Sequence, residues 1–211
     1  PITVTVGTYV SPVKPEDKNT LDIALGSITV SAGTGENSSQ TVYTQGEKTI
    51  SVDANTTVTI TGTYEYSANN AVEHYIRIEG GSPTIELKDL TIIQKAATAP
   101  AIVLMSGTDS ANNTATLILS GTNTLSGANQ APAVQINKYA TLTIQGEGTL
   151  NATGTNNVSA IGAPRYNTYA INPTTKKADN NYRSGGNLII GGGTINATGA
   201  QAGASIGASY G

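Results

Sequence analysis

Cysteine, tryptophan and phenylalanine are absent from the 211 residues, and methionine and histidine occur once each. Without cysteine there is no disulfide, no thiolate metal ligand and no cysteine nucleophile, and a single histidine excludes a multi-histidine zinc centre. Charge is scarce too, at 12 % of residues. Eleven basic against fourteen acidic side chains leave a net charge of −3, which offers no electrostatic footprint for nucleic acid. No stretch approaches the roughly 18 to 20 apolar residues of a membrane-spanning helix, and the start at Pro1 has neither the basic nor the apolar region of a secretion signal. The chain reads as a piece of a longer protein.

What remains is a chain of small and neutral residues. Its 24 glycines and its abundant Thr, Ser and Asn surround a 37 % hydrophobic fraction, so the core must be built from Val, Ile, Leu and Ala. The length suits one domain with a substantial core. A secreted or cell-surface bacterial protein has no need of cysteine, although a cytoplasmic one also tolerates its absence.

Self-similarity is the strongest signal. ATLTIQGEGTLNATG from Ala140 recurs as NLIIGGGTINATG from Asn187, and ATLILSGTNTLSG from Ala115 is a third version. Leu117 to Leu142, Leu125 to Leu150 and Ile136 to Ile161 are each 25 residues, and Leu142 to Leu188 is 46, which returns to 25 if about 21 residues from Arg165 to Gly185 are an insertion. The line from Thr84 to Leu104 joins the series if GTDSANN, around Asp109, is a seven-residue insertion, and TVTITGTYEY, around Val58 to Ile60, is a looser copy.

A unit of about 25 residues with three short alternating strands ended by Gly or Asn predicts one coil of a parallel β-helix. Alternation turns Leu142, Ile144, Leu150, Ala152 and Ile161 inward, with Leu117, Leu119, Leu125 and Val134 in the coil before and Leu188, Ile190, Ile195, Ala197 and Ile206 in the coil after. Stacked coils pair every strand with its successor and pile aliphatic side chains into columns. Gly121, Gly146, Gly148, Gly154, Gly193 and Gly199 fall at the bends, positions that can require positive φ without a Cβ clash. An antiparallel sandwich does not predict a constant interval, and a propeller blade is too long. The expected fold is all-β: a right-handed parallel β-helix, a three-faced solenoid with an N-terminal capping segment. Residues 1–50 are expected to be linker and cap, and 51–211 the β-helix with a surface insertion at 165–185. Asn19 or Thr20 offers an N-cap for a short helix over Leu21 to Leu25, and the same residues read equally as a strand.

LDIALGSITV, TLILSGTNTLSG, ATLTIQGEGTLNATG and GGGTINATG together resemble the repeat lines of bacterial cell-surface β-helix proteins, adhesin-like or carbohydrate-binding proteins of gut Firmicutes and related anaerobes. The resemblance covers roughly Leu21 to Gly211. It implies a right-handed β-helix carried on a long modular surface chain, and it brings no catalytic signature, because the matching residues are inward aliphatics and turn glycines.

The insertion RYNTYAINPTTKKADNNYRSG is the best candidate ligand site, through Arg165, Tyr166, Tyr169, Lys176, Lys177, Asp179, Tyr182 and Arg183. A polar loop this long must leave the solenoid wall. Aromatic faces pack on sugar C–H groups while planar polar groups bracket hydroxyls, and four cations against one carboxylate favour an acidic polysaccharide. The alternative is a solvated loop whose tyrosines merely pack back on the wall. A second candidate is the outward row of Thr149, Asn151 and Thr153 with Thr194, Asn196 and Thr198, continued by Thr124 and Ser126, which suits an exposed β-face as readily as a water-ordering surface.

Pectin-degrading solenoids need clustered carboxylates, often with Ca²⁺, and a cationic base. Here Lys138 and Glu147 are the only charges between Asn112 and Pro164, while Glu86, Lys88 and Asp89 read as an outward salt-bridged strand. Glu73, His74 and Arg77 form the sole acid, imidazole and guanidinium cluster, expected on a solvated strand, and Tyr64, Glu65 and Tyr66 end one coil. The expectation is a non-enzymatic, extracellular domain that needs no cofactor or metal and recognises a polysaccharide or glycan as a monomeric module, with a structural stalk as the rival reading.

Overall fold

In the computed structural model, residues 18–67, 72–94, 99–128, 131–163, 171–179, 184–201 and 203–207 are described. Among them are nineteen strands, two short 3₁₀ turns and no α-helix. The first coil holds β1 (Thr20–Asp22), a 3₁₀ turn over Ile23–Leu25 and β2 (Ile28–Ala32), followed by an antiparallel hairpin of β3 (Gln40–Gln45) and β4 (Lys48–Asp53). The second holds β5 (Thr57–Thr61), β6 (Thr63–Glu65) and β7 (Ile76–Ile78), and the third β8 (Thr84–Lys88), β9 (Thr91–Ile93) and β10 (Ile102–Leu104). The fourth holds β11 (Asn113–Ser120), β12 (Thr122–Ser126) and β13 (Val134–Ile136), and the fifth β14 (Ala140–Gly146), β15 (Thr149–Thr153) and β16 (Ile161–Gly162). β17 (Asn187–Ile190), β18 (Thr194–Thr198) and β19 (Ile206–Gly207) make the sixth.

These strands form three walls. Sheet A runs β1-β5-β8-β11-β14-β17, sheet C runs β6-β9-β12-β15-β18, and sheet B runs β4-β3-β2-β7-β10-β13-β16-β19. All pairings between strands of different coils are parallel, and among the named strands only the β2–β3–β4 excursion pairs antiparallel. The chain is thus a parallel β-helix. Its stack begins at Thr20, inside the segment expected to serve as linker and cap; residues 1–17 lie outside the described residues. The segment Leu21 to Leu25, read equally as a short helix or a strand, is the end of β1 followed by the 3₁₀ turn, which is capped by Asp22, whose carboxylate accepts from Ala24 N at 2.9 Å, rather than by Asn19 or Thr20.

The columns differ from the expected register by two residues. Leu117 pairs with Ile144 and Ala115 with Leu142; Leu125 pairs with Ala152, and Val134 with Ile161. The fourth and fifth coils are therefore 27 residues apart rather than 25. The cause is polar. Asn123 takes the inner place over Leu150, with its amide donating to Ser120 O (3.2 Å) and Thr149 O (3.3 Å) and accepting from Leu90 N (3.0 Å), so one buried side chain ties three coils together at the A–C corner. Because side chains alternate with period two, a shift of two leaves each on its expected face. Leu117, Leu119, Leu125, Val134, Leu142, Ile144, Leu150, Ala152 and Ile161 are all buried. The pairing of Leu142 with Leu188 is as expected. In the sixth coil Leu188, Ile195 and Ala197 pack on the core, while Ile190 and Ile206 are about half exposed.

The bend glycines divide into two kinds. Gly121, Gly146 and Gly193 have positive φ, whereas Gly148, Gly154 and Gly199 do not. The latter are excluded from bearing a side chain by close approach: a Cβ on Gly154 would meet Val158 O at 2.2 Å, and one on Gly199 would meet Gly203 O at 2.3 Å.

Candidate functional site

The three corners are unequal. Between sheets A and C the chain turns in one to three residues, as at 62, 121 and 191–193, and between C and B in seven to ten, as at 127–133 and 66–75. The B–A corner varies most: 79–83, 105–112, 137–139 and 163–186, after the hairpin excursion of the first coil. The insertion expected at 165–185 leaves from this corner. Its exit is fastened to the neighbouring turn by an antiparallel bridge between Asn137 and Gly185 and by Gly186 N donating to Ile136 O at 3.1 Å. Gly186 allows this contact, since a Cβ there would meet Ala140 O at 2.3 Å and Asn137 O at 2.4 Å.

Within the insertion, Ile171 and Ala178 bridge antiparallel and close a tight hairpin. Asn172 organises it. Its side-chain oxygen accepts from Thr174 N (2.9 Å) and Thr175 N (3.1 Å), its amide donates to Asp179 Oδ2 (3.2 Å), and its backbone exchanges bonds with Lys176 N and Lys177 O, both 2.9 Å. Lys176 takes φ 57°, and both Lys176 and Lys177 are exposed. The structure therefore brings together Lys176, Lys177 and Asp179. Arg165, Tyr166, Tyr169, Tyr182 and Arg183 lie outside the described residues. Beside the root of the insertion, an apolar hollow of about 250 Å³ is walled by Ile136, Ile161, Leu188 and Ile206 with glycine backbone between them.

Two residues at this corner escaped the sequence reading as a site. Tyr139, in the three-residue turn 137–139, has φ 55°, and the Lys138 ammonium lies 4.5 Å from its ring centroid. The Tyr139 carbonyl accepts from both Gly107 N and Asn113 N at 3.0 Å, which ties the turn to the 105–112 connection of the coil before. Spacing arguments could not reach it, because its position depends on which connections stack together.

Other expectations change. His74 is buried rather than solvated: its ring stacks on Tyr64 with centroids 4.2 Å apart, and Nδ1, facing the Ile23 carbonyl at 2.9 Å, must carry its proton. Tyr64 donates to Val72 O at 2.7 Å, and burial raises its pKa. Arg77 pairs with Glu79 at 2.8 Å instead of joining Glu73 and His74. Glu86, Lys88 and Asp89 form no salt-bridged strand; Glu86 accepts from Thr59 Oγ1, and Asp89 accepts from Thr122 N at the A–C corner. Among the described residues no three potential ligands converge on a metal position, and no helix is long and apolar enough to cross a membrane.

The outward row of sheet C is in register. Thr149, Asn151 and Thr153 pair with Thr194, Asn196 and Thr198, and Thr124 and Ser126 pair with Asn151 and Thr153. Asn196 donates to Asn151 Oδ1 at 2.9 Å, which joins the fifth and sixth coils on this face. The outer face of sheet B differs: Val103 and Gln135, which point away from the core, are 0 % and 1 % exposed, so this wall is not an open surface at its middle. No family model, curated protein or solved structure matches this chain.

Proposed function

We propose that the chain is a non-catalytic, extracellular domain that recognises a polysaccharide or glycan, in the manner of an adhesin, through the B–A corner. One observation carries this reading: the longest connection between coils, 163–186, leaves from this corner and is fastened there to the turn 137–139, which is tied in turn to 105–112, whereas the A–C corner is held to one to three residues. Loops carried on a rigid scaffold are where recognition is built. The corner presents Tyr139, Lys138, Lys176 and Lys177, which together supply an aromatic surface and cations. Asp109 lies on the connection 105–112, and Asp179 is held by Asn172 within the insertion.

A glycan array spanning plant, microbial and host structures tests this. Reproducible binding that is lost when Tyr166, Tyr169 and Tyr182 become Ala supports recognition through the insertion. Silence across the array overturns it in favour of a spacer between other modules, a reading to which the regular six-coil stack lends itself. Unsaturated, ultraviolet-absorbing products from polygalacturonate and Ca²⁺ would overturn the non-catalytic assignment.

A further inference from the structure

The two ends of the solenoid differ. At the first coil the β3–β4 hairpin adds Tyr43, Ile50 and Val52 to the core. Gln45 donates to Asp22 O (2.6 Å) and Gly26 O (2.8 Å), and Lys48 donates to Thr20 O (3.2 Å), so the hairpin is tied down over this end. The sixth coil has no such cover among the described residues. Leu188, Ile195 and Ala197 are only partly buried, and Ile190 and Ile206 are about half exposed. The apolar hollow of about 250 Å³ has Leu188 and Ile206 in its walls, so the aliphatic layer is incomplete there.

The backbone is open as well. Along the stack, the N–H of an inward residue donates to the coil that follows: Ile76 to Ala101 O (2.9 Å), Ile102 to Ala133 O (3.0 Å), Val134 to Ala160 O (3.0 Å) and Ile161 to Ser205 O (3.2 Å). Between these residues, Gly191 N and Thr194 N return from the sixth coil to Ile144 O (2.8 Å) and Gly148 O (3.0 Å) of the fifth. Leu188, Ile190, Ile195, Ala197 and Ile206 therefore turn their backbone groups toward an edge with no described strand beyond it. Strand edges that face water are blunted by lysine, proline or a bulge. From Asn187 to Gly207 there is no charged residue and no proline.

We propose that a second copy of this chain covers the sixth coil, end to end about a two-fold axis. The hairpin closes the opposite end to stacking, which leaves sixth coil on sixth coil. An axis through sheet C at Asn196 sets β18 antiparallel to its own copy. Thr194 then lies opposite Thr198 of the second copy, and Ile195 opposite Ala197, because TINAT has the same pattern of outward and inward residues in both directions. Inward side chains meet inward ones, and the free backbone groups of Ile195 face those of Ala197. The same axis exchanges sheets A and B, so β17 meets β19 of the second copy and each copy completes the other's aliphatic layer. This arrangement replaces the monomeric module expected from the sequence and does not depend on the glycan reading.

Sedimentation of the whole chain over a range of concentrations tests this, with a dimer as the expected species. Ile190→Lys and Ile206→Lys, at half-exposed positions of this end, are each expected to weaken the dimer by about tenfold or more, because they set like charges across the axis. Asn196→Cys, on the outer face, brings two cysteines together at the axis and is expected to cross-link the copies under mild oxidation. Thr124→Cys, two coils away on the same face, is expected to stay reduced. A monomer at every concentration overturns the proposal, as does a dimer that neither lysine weakens. Failure of Asn196→Cys to cross-link a dimer, or cross-linking of Thr124→Cys as readily, overturns the two-fold at Asn196.

Discussion

Asn123 and Leu150 occupy the same inner column, one coil apart, and the asparagine is fully buried. Its amide meets Leu90 N, Ser120 O and Thr149 O, buried backbone groups of three successive coils at the tight A–C corner, of which Ser120 O also accepts from Asp89 N at 3.3 Å. Asn123→Leu would complete the aliphatic column, yet it should destabilise the domain by about 2–4 kcal/mol, because buried backbone groups left without partners cost more than one added apolar side chain returns. Chemical denaturation measures this. A leucine variant as stable as the parent would show that packing, not the amide bridge, governs the corner.

Tyr43 carries the opposite imbalance. Its hydroxyl is buried with no hydrogen-bond partner, and burial pushes its pKa far above the ordinary tyrosine value. A group whose folded pKa is raised contributes stability that is complete below the unfolded value and lost above it. Stability should therefore fall once the pH passes about 10, by up to about 1.4 kcal/mol per pH unit for this group. Tyr43→Phe should raise the melting temperature at neutral pH and lessen the alkaline loss. A phenylalanine variant that melts lower at neutral pH would contradict this.

Glycines with positive φ should differ in cost, through both the backbone and the space around them. Gly146, at φ 105°, would bring a Cβ within 2.5 Å of Leu119 O, whereas Gly46, at φ 57°, has nothing within 4 Å. Gly46→Ala should cost only the left-handed backbone, about 1 kcal/mol. Gly146→Ala should cost clearly more, because the adjacent coil must move as well. Equal losses in thermal melts would mean that coil spacing yields easily.

Asn172 should govern the insertion without affecting the stack. Removing its side chain in Asn172→Ala takes away its bonds to Thr174 N, Thr175 N and Asp179 Oδ2 together. Limited proteolysis should then cut within 171–179 faster, while the global melting temperature changes little. A large fall in melting temperature would mean that the hairpin supports the solenoid wall.

The β-helix was legible because its information is periodic. Leu142, Leu150 and Ile161 repeat in type and spacing, and alternation fixes their face whatever the exact register. Register itself was not legible, since ATL at Ala115 and ATL at Ala140 look like equivalents while the stack pairs Ala115 with Leu142. Textual similarity favoured aliphatic over aliphatic, and a hydrogen-bonded asparagine in the core defeats that rule. The insertion was legible as an interruption of period, and Lys176, Lys177 and Asp179 do lie on one hairpin. Tyr139 and the burial of His74 depend on contacts between coils, which no local pattern reveals.

The register claim has a direct test in a chain with no cysteine of its own. Thr116 and Thr143 are paired neighbours on the outside of sheet A, whereas Thr116 and Thr141, 25 residues apart, are offset by two positions along the strand. Offset positions on adjacent strands are about 8 Å apart, beyond the reach of a disulfide. Under mild oxidation the T116C/T143C variant should cross-link and T116C/T141C should stay reduced, as read by non-reducing mass spectrometry. Cross-linking of T116C/T141C with none in T116C/T143C would contradict the 27-residue stack and, with it, the corner at which the candidate site is built.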